Sequence, residues 1–135
     1  MKNLTDDERS KIALNVNLDS VAGSPHLAAL TSGFGGVEPF LLRVAEDNGQ
    51  SLRTVRPLMT NSDHANFAAG GIPAIRLVAG FDDPTAHLRV VLTPADTRDK
   101  VAQSELRQAT LLAAALVAAA CNASPEEAAV WRRGS

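Results

Sequence analysis

The sequence predicts an α/β fold in which a mostly parallel or mixed β-sheet of about four strands is covered by helices. In residues 11–19, large apolar side chains alternate with side chains that are polar except for Ala13, as in a strand with one buried face. Residues 72–79 are apolar and partly β-branched except for Arg76, which is typical of an interior strand. A long apolar helical run extends from Ser104 to Ala120. Strands that alternate with helices indicate a sheet with helices packed on its faces.

Turn residues divide the first half of the chain into further elements. Gly49 supplies the usual stop after a helix, and Pro57 indicates an edge strand or the end of a strand. The predicted elements that follow the first strand are, in order, an apolar stretch at 26–30, a helix at 37–48 and a strand at 52–58.

The second half is predicted to contain three helices and one strand. A short helix begins near residue 64, with Ser62 or Asp63 as the side-chain cap. Ser104 is expected to cap the long helix, whose apolar residues on nearly all sides predict that it is mostly buried. Pro125 fits the first turn of a final short helix.

Length and composition indicate one domain comprising residues 1–135. A chain of 135 residues with 45% hydrophobic and 21% charged residues is long enough to bury a core. Because the net charge is -2 and the basic residues are scattered, we expect no nucleic acid and no membrane partner. The polar amino terminus does not resemble a signal peptide, which predicts a cytoplasmic protein. Cys121 cannot form an internal disulfide, since it is the single cysteine, and is expected to be a small buried thiol.

Polar residues follow several of the predicted strands. In sheets of this kind, ligands bind beyond the carboxyl ends of the strands. We therefore expect a site at one rim of the sheet. The residues that could converge there are Asp19, Thr31-Ser32, the segment 61–64 and Asp82-Asp83.

Three sequence blocks resemble motifs of the co-catalytic zinc aminopeptidase family of the bacterial leucyl-aminopeptidase type. They read NLDSVAG at 17–23, NSDHANFAAGGIPA at 61–74 and TPADTRDKV at 93–101, and they stand in the family's order. The similarity runs from about residue 12 to about residue 121. It corresponds only to the carboxyl-terminal half of the family's catalytic domain.

The resemblance implies that Asp19 is a terminal zinc ligand. A carboxylate is a hard anionic donor for zinc, and a strand end holds it rigidly. From the alternating pattern alone, Asp19 is instead expected to close the strand and cap the turn at Gly23.

The resemblance places Asp63 and His64 beside the catalytic groups, although neither is a metal ligand in the family's pattern. A carboxylate and an imidazole fixed at a helix start can orient catalytic groups and hold their protonation states. Phe67 is implied to lie at the substrate pocket. Without the resemblance, the expectation is a helix cap followed by an exposed histidine.

Leu92 departs from the family's pattern, because active members have a second terminal zinc-ligating histidine at this position. Leucine cannot donate to a metal. His87 precedes it by five residues and is a possible substitute ligand if the loop is rearranged, although a packed or surface histidine is the simpler expectation.

The implied function is that of a metallo-aminopeptidase-type hydrolase that uses zinc to remove amino-terminal residues from peptides. In the family, a His-x-Asp segment and a Glu-Glu pair that lie before the NLDSVAG block supply the other ligands and the general base, and neither precedes that block here. The adjacent acids Glu126-Glu127 fall in the first turn of the final predicted helix and are interpreted as structural. We therefore expect the chain alone to be inactive and to accept a peptide substrate only when the missing half is present. The alternative is a non-catalytic binding or interaction module of the same fold. An uncovered sheet edge also predicts a homo-oligomer.

Overall fold

Four strands form one mixed β-sheet, in agreement with the predicted α/β class. The computed structural model describes residues 3–134. The strands are β1 (Asn15–Leu18), β2 (Leu27–Leu30), β3 (Leu52–Val55) and β4 (Ala74–Ala79). Their order across the sheet is β1-β4-β2-β3. Strand β4 is parallel to β1 and antiparallel to β2, whereas β2 and β3 are parallel to each other.

Five α-helices and three short 3-10 turns complete the described part of the chain. The helices are α1 (Asp6–Ser10), α2 (Glu38–Asp47), α3 (His64–Ala69), α4 (Gln103–Cys121) and α5 (Pro125–Trp131). The 3-10 turns are Gly35–Val37, His87–Arg89 and Arg98–Lys100. Pro125 lies in the first turn of α5, as predicted, and Ser124 caps this helix by accepting a hydrogen bond from the Glu127 N–H group at 3.2 Å.

The main hydrophobic core lies between one face of the sheet and helices α2, α4 and α5. Alternate residues of β4, among them Ile75 and Leu77, are fully buried in this core. Trp131 of α5 packs against Phe40 of α2, with the ring centroids 4.5 Å apart. Because side chains alternate along a strand, Arg76 points to the opposite face of the sheet. Helix α3 contacts β1 and β4.

Both strands that were predicted from residues 11–19 and 72–79 are shorter in the structure. The ladder between β1 and β4 begins at the pair Asn15 and Ala74. Pro73 precedes β4 and has no N–H group, so it cannot extend the ladder as a donor. The Arg132 guanidinium instead donates to the carbonyl oxygen of Ile12, at 2.7 Å. The segment before β1 is thereby held by a side chain rather than by a strand partner.

The prediction that α4 is mostly buried is wrong, since only one stripe of it faces the core. Leu112 is fully buried, whereas its neighbour Leu111 is 55% exposed. The prediction of a buried thiol is also wrong, because Cys121 is exposed. It follows Leu116 of the buried stripe by five residues, which on a helix rotates it about 140° away from that stripe. The capping residue of α4 is Ala102, not Ser104, and it makes no side-chain cap bond.

Within residues 3–134, the structure contains no helix with both the length and the apolar character needed to span a bilayer.

Candidate functional site at the start of helix α3

The mixed sheet separates the polar segments that were expected to share one rim. Because β2 is antiparallel to β4, the chain leaves β2 in the opposite direction to that in which it leaves β1. Asp19 follows the pair Leu18 and Leu77, whereas Thr31 follows the pair Leu30 and Arg76 and leads the other way, so these two segments diverge and do not form the expected single rim. Thr31 is buried, and its hydroxyl donates to the Glu38 carboxylate at 3.3 Å. Glu38 in turn accepts two hydrogen bonds from Arg56, at 2.9 and 3.0 Å.

Asp82-Asp83 follows β4 and faces a different group of residues from Asp19. Asp82 forms an ion pair with Arg53 of β3. Asp83 accepts hydrogen bonds from the Thr85 N–H and hydroxyl groups, at 2.8 and 2.7 Å. These two bonds lower the pKa of the Asp83 carboxyl group. Asp82 therefore links the loop after β4 to the edge strand β3, and Asp83 stabilises a local turn in that loop.

Arg76 joins the end of β1 to the segment that leads into α3. Its Nη2 atom lies 3.3 Å from Oδ2 of Asp19, and its Nη1 atom donates to Oδ1 of Asn61 at 3.0 Å. A second link lies beside it, where the Asn17 amide donates to the Ser62 hydroxyl at 2.7 Å. Asn17 and Arg76 are register partners in β1 and β4 and so share one face of the sheet. The sequence prediction included Asn61, as part of the segment 61–64, but not Arg76.

His64 is the first residue of α3 and is fully buried, so the expectation of an exposed histidine is wrong. Neither ring nitrogen has a hydrogen-bond partner among the described residues. Burial lowers the pKa of the His64 imidazole, and the charge of Arg76 lowers it further, while Asp19 and Asp63 act in the opposite direction. Both carboxylates therefore lie within electrostatic range of one imidazole. Asp19 and Asp63 therefore lie near the buried His64 ring, whose lowered pKa favours the neutral form.

The start of α3 is not capped by a side chain in the way that the sequence predicted. Asp63 occupies the capping position but has helical backbone angles and makes no cap bond. Ser62 is engaged by Asn17 instead. The exposed Asp63 carboxylate is therefore left available to a ligand. Phe67 lies in the same helix and is partly buried.

His87 organises its own loop instead of supplying a ligand beside Asp19. Its Nε2 atom lies 2.7 Å from Oδ1 of Asp96, and this bond is the main cause of the lowered pKa of Asp96. Asp96 also accepts a hydrogen bond from the Leu92 N–H group at 3.2 Å. Leu92 has a left-handed backbone, with φ of 65°, and a side chain that is 95% exposed. The side chain at the position of the family's histidine thus points into solvent.

The described residues alone do not fit a zinc ion. Protein zinc sites use three or four His, Cys, Asp or Glu ligands. No group of three such side chains that could hold a metal occurs within residues 3–134. The one carboxylate that the resemblance nominates, Asp19, is already paired with Arg76.

Two aminopeptidases of known structure have a similar fold. The chain is similar to BSAP, described as a zinc aminopeptidase from Bacillus subtilis, with a TM-score of 0.76 and 24% identity over 93% of this chain. It is also similar to an aminopeptidase from Aneurinibacillus sp. strain AM-1, with a TM-score of 0.60 and 23% identity over 87% of this chain. The chain spans only 33% and 27% of the lengths of these two proteins. At such identities the likeness shows the fold.

The sequence also matches a protein-family model. A search of curated protein sequences gives no match. The model for peptidase family M28, however, matches residues 1–117, which is most of the chain. This match agrees with the three motif blocks and with the fold of the similar structures. The chain therefore belongs to peptidase family M28.

Proposed function

We propose that the chain is part of an aminopeptidase-type hydrolase, in which it forms one wall of the cleft that receives the amino terminus of a peptide. The observation that carries the proposal is the grouping of Asp19 and Asp63 around the buried His64. Membership of family M28 supports the reaction class. The similar structures, one of them a zinc aminopeptidase, support it as well.

The chemistry of the cleft suits a peptide amino terminus. A free amino terminus is a cation at neutral pH, because its ordinary pKa is about 7.7–8.0. The Asp63 carboxylate is exposed and is not used as a helix cap. It can therefore accept hydrogen bonds from an ammonium group. Asn17 and Ser62 hold the segment that carries Asp63 against β1.

The chain alone is catalytically incomplete in this proposal. Zinc, which the family implies, would need ligands from outside the described residues, because those present do not form a metal group. In this proposal, peptide hydrolysis, zinc binding and the general base therefore require a larger domain, of which these residues form a part.

The proposal predicts that the chain binds an aminopeptidase substrate analogue without turning it over. The test is a two-dimensional NMR titration of the 15N-labelled chain with L-leucine amide, together with an assay of L-leucine p-nitroanilide hydrolysis. We expect L-leucine amide to change the amide chemical shifts of Asp63, His64 and Phe67 in the wild-type chain. These changes should be lost in the Asp63→Asn variant. The matched control is Asp47→Asn, at the end of α2, which should leave the shifts unchanged.

Two results would contradict the proposal. Shifts that are absent around α3, or that persist in Asp63→Asn, would mean that the cleft does not receive an amino terminus. Hydrolysis of the p-nitroanilide by the purified chain would show that the chain is catalytically complete, which would contradict the proposal that it is only part of the hydrolase.

A non-catalytic binding or interaction module is the second candidate. The ion pair between Arg76 and Asp19 and the solvent-facing Leu92 favour it, because both remove a metal donor. If the chain is such a module, L-leucine amide would not bind at α3, although the chain would have the same fold. The NMR titration therefore separates the two candidates.

A further inference from the structure

Strand β4 contains a buried charge whose presence the fold alone does not explain. Five of its six residues are apolar, and the sixth, Arg76, is buried among them, with 6% of its side chain exposed. A guanidinium group stays protonated in proteins, so it cannot avoid the cost of burial by losing its charge. Burial of an ion is tolerated only when an opposite charge and hydrogen bonds compensate it. Arg76 must therefore be matched by a specific partner.

Asp19 is that partner, and the pairing is reciprocal. The two side chains approach to 3.3 Å, and Asp19 remains 38% exposed at its solvent side. The other anchor of Arg76 is the neutral amide oxygen of Asn61, at 3.0 Å. The described contacts thus give the guanidinium one anionic partner and one neutral partner.

We propose that Arg76 is the resident counter-cation of the site at the start of α3, where it neutralises Asp19 and so takes over the electrostatic role that the family resemblance gives to zinc. The contacts among these residues then persist without a metal ion. Asp19 is correspondingly a poor metal donor, because a divalent cation bound to it would lie beside a fixed guanidinium charge. This inference goes beyond the proposed function, and its test requires no peptidase activity or substrate binding.

Arg76 also fixes the position of the segment that carries the cleft residues. It spans from the residue after β1 to Asn61, which lies three residues before His64. Removal of the guanidinium would remove its contacts with Asp19 and with Asn61 at the same time. Arg76 is therefore a positioning residue, and its positive charge, rather than its volume, carries the effect.

A double-mutant cycle measures the coupling between the two charges. The variants are Asp19→Asn, Arg76→Met and their combination, and the readout is the thermal unfolding midpoint in EDTA. We expect Asp19→Asn to lower Tm by at least about 4 °C in the wild-type background, because it leaves a buried guanidinium without its anion. In the Arg76→Met background, the same substitution should have less than half of that effect. Equal losses in both backgrounds would overturn the proposal.

The Arg76→Lys variant separates charge from packing. It keeps the positive charge and should retain the coupling to Asp19, whereas Arg76→Met should lose it. If Arg76→Met fails to fold, the cycle is completed in the Arg76→Gln background, which is polar but neutral. A coupling that is equally absent in the Lys and the neutral variants would contradict a role based on charge.

Zinc binding provides the second, independent readout. Calorimetric titration with zinc chloride should show at least about tenfold tighter binding to Arg76→Met than to the wild-type chain, and the gain should vanish when Asp19 is also changed to Asn. Zinc should leave the Tm of the wild-type chain unchanged. Equal zinc affinity of wild type and Arg76→Met, or a zinc-induced rise of the wild-type Tm that depends on Asp19, would overturn the proposal.

Discussion

At the scale of single residues, the burial of His64 makes the stability of the protein depend on pH. Burial and Arg76 lower the pKa of this imidazole in the folded state below its ordinary value of about 6.5. The unfolded chain therefore binds more protons than the folded one in this range, so the free energy of unfolding falls as the pH falls through about 6.5. The lowered carboxyl pKa values of Asp83 and Asp96 affect the free energy of unfolding in a separate, more acidic pH range.

The His64→Gln variant should show a flatter pH dependence of stability between about pH 7.5 and 5.5 than the wild type, since it cannot take up the proton. Urea unfolding at several pH values measures the difference. His26→Gln is the matched control, because His26 is exposed and should leave the slope as it is. The same slope in wild type and His64→Gln would show that His64 does not titrate on unfolding.

Sequence patterns predicted some of the residues at the start of α3 but missed others. The motif blocks and strand ends directed attention to Asp19, Asp63 and His64, and the structure brings these three into electrostatic range. The partner Arg76 was missed, although an arginine in an apolar strand is a visible signal. Its contact with Asp19 joins residues far apart in the chain, and no local periodicity reports such a contact. The loop around Leu92 was missed for a similar reason, because its conformation depends on the bond between His87 and Asp96.

At the scale of elements, α4 provides a direct test of the packing. Leu112→Ala should lower the free energy of unfolding by about 2–5 kcal/mol, because Leu112 is fully buried against the sheet. Its neighbour Leu111 is 55% exposed, and Leu111→Ala should change stability by less than about 1 kcal/mol. Urea denaturation of the two variants measures the difference. Similar losses at both positions would mean that α4 is buried on both sides, as its composition alone suggested.

The existence of the strands was easier to predict than their direction. Alternation and apolar runs located all four strands, but a strand pattern is the same whichever way the strand runs. One overlooked signal is the short connection between β1 and β2, residues 19–26. A parallel crossover needs a dozen or more residues, so this connection favours opposite directions. The structure has these directions, which explains why the chain leads away from β1 at Asp19 and from β2 at Thr31 in opposite directions.

At the scale of the whole molecule, β1 is an edge strand with an open groove beside it. The groove has a volume of about 670 Å³ and is lined by residues of α4, α5 and the segment around β1. Leu18, the last residue of β1, is 50% exposed. Unpaired strand edges with apolar neighbours are templates for pairing with another chain.

We therefore predict that the chain forms a homodimer through the β1 edge. Size-exclusion chromatography with light scattering should show a dimer for the wild type and a shift to monomer for Leu18→Lys, because a charge on the edge opposes pairing. Leu58→Lys is the control, since Leu58 is similarly exposed but lies beyond β3 at the other edge. A wild-type chain that stays monomeric at high concentration would contradict the prediction.

An internal ion pair between Asp19 and Arg76 lies at the centre of the site at the start of α3 in this family M28 chain. A crystal structure of the chain grown with zinc, with anomalous scattering measured at the zinc absorption edge, tests it most directly. We predict that Arg76 contacts Asp19 and that no anomalous peak lies at the Asp19 carboxylate. A zinc ion bound to Asp19, with Arg76 turned away, would contradict the account.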